Sequence, residues 1–371
     1  MIINVTSPNE MTGFYVVFKG STLLEKEGNR GVSHLMEHIL AKNIEHLEED
    51  FDRNGIVFNA YTSTNEIVFH LKGLDDRVLK YRDEFLKCIT EFSITEEDFE
   101  KEKKIVIEEY SDYFEDKTSS HYMNLFRKIY NDYGAIGCLQ DLELLKFSDI
   151  KDFYELQYSK PSIIVNVSKN NPFFNDTIEF SDRLLDKKLV ELVDNDFIYE
   201  DLCSSTDSTK TSIMLTSKVI DKTDVRISKI INKMLSYGLK SPLYQEVREK
   251  RGLCYYIGCD SYRVNMDHIT YIMTNTSNSN RDEVLNSIKL VLDNPSEYLS
   301  QERLELIKDN LMVNRIKSEI NLYNNVNKFI TPMEFQMNEE VDNITLEDVY
   351  RVYDKYYKFD MFRVSTDKDE F

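Results

Sequence analysis

Five consecutive residues, His34-Leu35-Met36-Glu37-His38, carry the densest chemistry in the chain. Imidazoles at i and i+4 lie on one face of a helix, close enough for both to hold a single zinc ion. Glu37 falls on that same face, placed to take a proton from water that such an ion polarises. Two metal-binding histidines beside a carboxylate base predict hydrolytic chemistry. A zinc ion engaged in catalysis usually has three protein ligands and one open position, so a further ligand is expected elsewhere in the chain.

That ligand is expected on a second helix, opened by Thr95 as N-cap with Asp98 three residues on, close to a capping box. The helix runs on through Glu102 to Tyr110. Glu102 and Glu109 are two turns apart on one face, so one can bind the metal while the other supports it from behind. The spacing alone does not say which.

The order His-x-x-Glu-His reverses that of the commoner zinc-protease helix and marks the inverted zincins. With the glutamate-rich helix, it makes the chain resemble the M16 metallopeptidases (pitrilysin, insulin-degrading enzyme, mitochondrial processing peptidase). The resemblance implies His34, His38 and Glu109 as zinc ligands, Glu37 as general base and Glu102 as support behind the ligands. The gap from His38 to Glu109 is a few residues shorter than that family's, which keeps Glu108 as the alternative ligand.

Three further stretches fit the same resemblance. Asn59-Ala60-Tyr61-Thr62 and the run Ile67-Val68-Phe69-His70-Leu71 read as two strands of a hairpin. The similar M16 segment is an edge strand, which implies that Asn59, Ala60, Tyr61 and Thr62 pair with a substrate peptide through the main chain. Leu243 to Tyr256 reads as a helix with a basic last turn, stopped by Gly252, followed by a strand. It resembles the Arg-(six residues)-Tyr signature of M16 second domains, implying that Arg248 and Tyr255 bind substrate carbonyls and stabilise an oxyanion. The third is an internal repeat. Asp149-Ile150, Phe153-Tyr154 and Tyr158 align with Asp348-Val349, Val352-Tyr353 and Tyr357 at a constant offset of 199 residues. Each set runs into an apolar strand, Ser162 to Val167 and Met361 to Val364. A period near half the chain means two similar domains rather than a solenoid.

The elements that position these residues alternate helical patterns with short strands at Gly13–Phe18, Glu66–Lys72, Thr211–Ser217 and His268–Asn275. The fold expected is α+β: two similar α/β sandwich domains, each a mostly antiparallel sheet flanked by helices. We place them at 1–185 and 210–371, joined by a charged, Ser/Thr-rich linker at 186–209. The resemblance implies that one such chain is half of a clamshell chamber. It also implies a homodimer with composite sites, since one chain carries both the zinc residues and the Arg/Tyr pair. The alternatives are a processing subunit of a heterodimer maturing one precursor, or a non-catalytic structural subunit.

At 371 residues and 41% hydrophobic content the chain can bury two cores. Its formal net charge of −20 argues against nucleic acid, which needs clustered Lys and Arg, and suits basic peptide substrates. The N-terminus lacks the basic and apolar regions of a signal peptide, and no apolar run is long enough to span a membrane. Five cysteines without a C-x-x-C pair are expected as free thiols in a reducing compartment, the cytosol.

Overall fold

The computed structural model describes residues 1–130, 134–181, 209–264, 267–320 and 339–366. These residues fall into two compact units. The first is built from 1–115 with the described residues of 126–181 and 316–320, and the second from 116–125, 209–315 and 339–366. The expected linker 186–209 lies, apart from Thr209, outside the described residues.

In the first unit, strands β1 (Ile2–Thr6), β2 (Met11–Lys19), β3 (Val57–Thr62), β4 (Glu66–Leu74) and β5 (Ile163–Ser168) form one sheet. Their spatial order is β1-β5-β2-β4-β3. Only β1 with β5 is parallel; the other neighbours are antiparallel. The helices are α1 (Val32–Lys42), α2 (Glu48–Asn54), α3 (Asp75–Thr90), α4 (Glu96–Glu115), α6 (Leu139–Leu144) and α7 (Phe147–Phe153). α5 (Lys117–Tyr130) is shared between the units. Alternation along the strands turns Phe14, Val16, Phe18, Ile67, Phe69 and Leu71 to one face, where they form a buried core with Leu35, Met36, Ile39 and Phe85. Tyr15, Val17, Val68 and Val165 are buried on the opposite face.

The second unit repeats the plan. Strands β6 (Lys210–Val219), β7 (Cys254–Val264), β8 (Asp267–Ser277) and β9 (Arg363–Thr366) pair antiparallel in the order β7-β8-β6-β9. Helices α8 (Val225–Ser236), α9 (Arg281–Asp293), α10 (Pro295–Tyr298), α11 (Gln301–Ile320) and α12 (Leu346–Tyr356) complete it. Ile230, Ile231, Met234, Ile288, Val352 and Tyr353 are buried in its core.

The repeat seen in the sequence is therefore structural. Asp149 Oδ2 accepts the Lys146 N–H at 2.9 Å, and Asp348 Oδ2 accepts the Thr345 N–H at 3.0 Å. Each acid closes the first turn of its helix. Ile150, Tyr158, Val349 and Tyr357 are fully buried behind those caps. Two expectations shift. The last strand begins at Arg363 rather than Met361, because Phe359–Met361 closes a 3₁₀ turn first. The helix expected at Leu243–Arg251 is a π-helical turn over Tyr244–Glu249. It ends before Gly252, which takes the left-handed φ of 63°.

Candidate active site

Helix α1 buries Val32, Leu35, Met36, Ile39 and Leu40, which leaves His34, Glu37 and His38 on its open face. Its start is fixed from upstream. Gly31 is the N-cap and has no side chain to cap with, so the Glu25 carboxylate does so: Oε2 accepts from the Gly31 N–H at 2.9 Å and Oε1 from the Ser33 N–H at 2.8 Å. Asp141 likewise accepts from the Gly28 and Arg30 N–H groups, both at 3.0 Å. A carboxylate at a helix N-terminus satisfies orphan donors and meets the positive end of the dipole. Behind this turn Gly137 lies against Gly31. A Cβ on Gly137 would come within 2.3 Å of the Gly31 Cα, at a backbone φ of 74°, so the site tolerates only glycine there.

Helix α4 starts as expected. The Asp98 N–H donates to Thr95 Oγ1 at 3.2 Å, and the Thr95 N–H donates to Asp98 Oδ2 at 3.1 Å. This helix packs on α1 and brings Glu102 and Glu109 to the histidines. His34 Nε2 is 3.4 Å from Glu109 Oε2, and His38 Nε2 is 3.6 Å from that same oxygen. His38 Nδ1 faces the buried Glu102 carboxylate at 3.5 Å. His34, His38 and Glu109 are the one group of three metal-capable side chains among the described residues, with donor atoms within 4.8 Å of one another. Glu108 is exposed and not part of it.

These residues fit a zinc ion. Ligands bound at 2.0–2.1 Å in a tetrahedron stand about 3.4 Å apart. The two carboxylate-to-imidazole distances are close to that and long for hydrogen bonds. Burial, with His38 adding to it, pushes the His34 imidazole down to about 4, which keeps it neutral and its lone pair available. Glu102 stands 3.5 Å from the far nitrogen of His38, on the side from which a carboxylate orients a ligating ring. The other nitrogen of His34, Nδ1, is buried without a hydrogen-bond partner among the described residues.

Glu37 lies beside this cluster and is itself held. The Thr62 hydroxyl donates to its Oε2 at 2.5 Å. Burial raises the Glu37 carboxyl above its ordinary value; Thr62 and His38 oppose that and Glu109 reinforces it. Thr62 ends β3, the edge strand of the first sheet. A cavity of ≈ 330 Å³ opens along that edge, bounded by Glu37, His38, Phe58, Asn59, Ala60 and Glu102. The Ala60 N–H is taken by the side chain of Asn59 at 2.9 Å, and the Asn59 carbonyl meets His70 Nδ1 at 2.8 Å.

Arg248 and Tyr255 belong to the second unit, where they lie together. The Arg248 guanidinium is 5.0 Å from the centre of the Tyr255 ring and 4.6 Å from that of Tyr244. The π-helical turn carries Arg248, and a register shift in the β7–β8 ladder between Cys254 and Ile257 turns Tyr255 outward. Tyr255 is 85% exposed.

Sequence reasoning named every residue of the first-unit cluster but missed two supports. The sequence places Thr62 in the strand but gives no sign of its bond to Glu37, and Glu25 carries no signal at all. A capping pattern looks for a polar side chain at the N-cap itself, and here the N-cap is glycine.

The sequence profile described as Insulinase (Peptidase family M16) matches residues 2–136, and that of the Peptidase M16 inactive domain matches residues 183–311. An uncharacterized zinc protease of Rickettsia felis is 20% identical over 375 residues, spanning 92% of this chain and 89% of its own. The uncharacterized zinc protease YmxG of Bacillus subtilis is 25% identical over 239 residues, 61% of this chain and 58% of its own. Among solved structures, a protease from Helicobacter pylori has the same fold, with a TM-score of 0.81 and 18% identity across 99% of this chain and 96% of that one. With a profile of the family on each half and a two-sheet fold of its kind, this chain belongs to the M16 peptidases and is similar to their zinc proteases.

Proposed function

We propose that the chain is a zinc-dependent endopeptidase acting on peptides or short unfolded polypeptides. The observation that carries this is the convergence of His34 Nε2, His38 Nε2 and Glu109 Oε2 beside a Glu37 that Thr62 holds in place. His34, His38 and Glu109 would hold the ion. Zinc in that position supplies Lewis acidity, polarising water and the scissile carbonyl. Glu37 takes the proton of the attacking water at Oε1 or Oε2 and returns it to the leaving amine. Its burial favours a raised carboxyl, as suits a base that must also act as an acid. The β3 edge offers main-chain groups to an extended peptide next to Glu37, so binding depends little on side-chain identity. Arg248 and Tyr255 supply a cation and a hydroxyl for the developing oxyanion.

One chain carries both the zinc residues and the Arg/Tyr pair, which supports a homodimer in which each chamber is completed by the partner. Basic peptides suit the charge of −20, and cysteines without a C-x-x-C pair suit the cytosol.

The test is hydrolysis of quenched-fluorescent peptides by the purified chain and by Glu37→Gln, with zinc content measured in both. The expected result is about one zinc per chain in each and cleavage only in the first, with loss of at least about 10³-fold. Full activity in Glu37→Gln, or no zinc in either protein, overturns the reading. Zinc without cleavage would point to a missing partner chain.

A further inference from the structure

Arg248 and Tyr255 meet because the chain reverses between them, and that reversal is built on buried polar groups. The π-helical turn closes with the Lys250 N–H on the Gln245 carbonyl at 2.9 Å, so residues four and five apart share a side. On its open side the Arg248 guanidinium stacks on the ring of Tyr244. On its inner side Glu246 is only 3% exposed. One Glu246 oxygen accepts from Lys250 Nζ at 2.8 Å, and the other from Arg251 Nε and Nη2 at 3.0 and 2.8 Å. Lys250 and Arg251 are themselves exposed, so the carboxylate draws the end of the turn inward. The main chain closes at the same place. The Gly252 N–H donates to the Arg248 carbonyl at 2.8 Å, and the Leu253 N–H to the Val247 carbonyl at 3.0 Å.

From Leu253 the chain enters β7 with one residue more than β8 matches. Cys254 faces Thr276 and Ile257 faces Thr274, so Tyr255 and Tyr256 together stand opposite a single residue. Such a bulge breaks ladder bonds and leaves carbonyls to be satisfied by other donors. Two buried hydroxyls of β8 supply them: Thr276 donates to the Leu253 carbonyl and Thr274 to the Tyr256 carbonyl, both at 2.6 Å.

An ion pair that only closed a turn could stay in water, as the exposed Lys358 and Asp354 pair does. Glu246 is buried instead, which desolvates its charge. Burial pushes its carboxyl up, but the bonds from Lys250 and Arg251 outweigh that and hold it below its ordinary value. Buried groups thus fix in one arrangement a pair that itself faces solvent. Preorganisation requires this, because an oxyanion gains most from donors that need not move to meet it. We propose that Glu246 is a positioning residue for the Arg248/Tyr255 pair. Through Lys250 and Arg251 it fixes the turn that returns the chain to β7, while Thr274 and Thr276 fix the bulge that sets Tyr255 beside Arg248. The proposal rests on the peptidase reading, in which the pair meets the developing oxyanion.

The test places Glu246→Gln in two settings, the otherwise unaltered chain and a chain lacking the pair (Arg248→Gln with Tyr255→Phe). Peptide hydrolysis, melting temperature and zinc content are measured in all four proteins. In the unaltered chain, Glu246→Gln should lower kcat about tenfold and leave KM within about twofold, as for an interaction made only in the transition state. In the chain lacking the pair, the same change should move the residual kcat by less than about twofold, because residues that act as a unit are not additive. A role confined to folding would lower activity by the same factor in both settings. Equal losses, or an unchanged kcat in Glu246→Gln, overturn the proposal. Thr274→Val keeps the β-branched shape and removes one hydroxyl. It is carried through the same cycle and decides the outcome if Glu246→Gln does not fold: a kcat loss that depends on the pair is expected, and an equal loss or none overturns the proposal. Full activity in the chain lacking the pair would overturn the oxyanion role of Arg248 and Tyr255 and the positioning role with it. A large loss there, beside equal losses from Glu246→Gln, sinks the positioning role alone.

Discussion

Glu37 shows how little of a working residue is contained in its identity. Its spacing from His34 and His38 put it beside a metal in the sequence, but its bond to Thr62 comes from pairing between elements. The Thr62 hydroxyl donates to Glu37 Oε2 at 2.5 Å and so points the carboxylate toward the cleft. Thr62→Val keeps the β-branched shape that β3 favours and removes only the donor. Turnover should fall about tenfold, as expected for loss of one hydrogen bond to a charged group, with zinc content unchanged. Thr62→Ser should restore most of it. Peptide hydrolysis beside metal analysis separates this from simple loss of the ion. An unaltered rate in Thr62→Val would mean that the bond does not orient the base.

At the scale of elements, legibility followed how local the signal is. Helix α4 was readable because Thr95 and Asp98 cap one another three residues apart. The hairpin β3–β4 was readable from alternation between turn formers. The parallel pairing of β1 with β5 was not, because Ile2 meets Ile164 and nothing near Ile2 says so. The outward turn of Tyr255 was hidden for the same reason, since the register shift exists only against β8. Glu25 is the costliest omission, because helix α1, which carries His34, Glu37 and His38, starts from it. Glu25→Ala leaves the Gly31 and Ser33 N–H groups without this acceptor and removes a negative charge from the α1 N-terminus. A stability loss of about 1–2 kcal/mol is expected, read as a lower melting temperature and easier zinc extraction by chelator. Glu25→Gln, keeping an acceptor but not the charge, should fall between. Wild-type melting and zinc retention in the alanine variant would place the helix start under other control.

At the scale of the molecule, both units hide imidazoles. His70 in the first unit and His121 and His268 in the second are almost wholly buried, and burial lowers them to about 4, 4 and 3 respectively. In the unfolded chain each binds a proton near 6.5. Between those values the unfolded state holds more protons, so stability is full above pH 6.5 and falls as the medium is acidified toward pH 4. Carried through its whole window, each group contributes at most about 3–5 kcal/mol, the larger figure being that of His268. Urea unfolding from pH 8 to 4.5 should therefore show a steep acid loss, made shallower by about one proton in His268→Gln; an unchanged slope in that variant would remove His268 from the effect. The proposed homodimer is tested differently, by giving each chain one defect. A Glu37→Gln chain keeps Tyr255, and a Tyr255→Phe chain keeps Glu37, so each alone is expected to be nearly inactive. If the Arg/Tyr pair serves the partner's zinc, a mixed dimer contains one site with both residues intact and one with neither. Random mixing makes half the dimers mixed, so about one quarter of the wild-type activity should return. If the pair serves its own chain, no combination of these chains contains an intact site and nothing returns. The recovered fraction, measured after unfolding and refolding the two chains together, thus decides whether the catalytic unit is one chain or two.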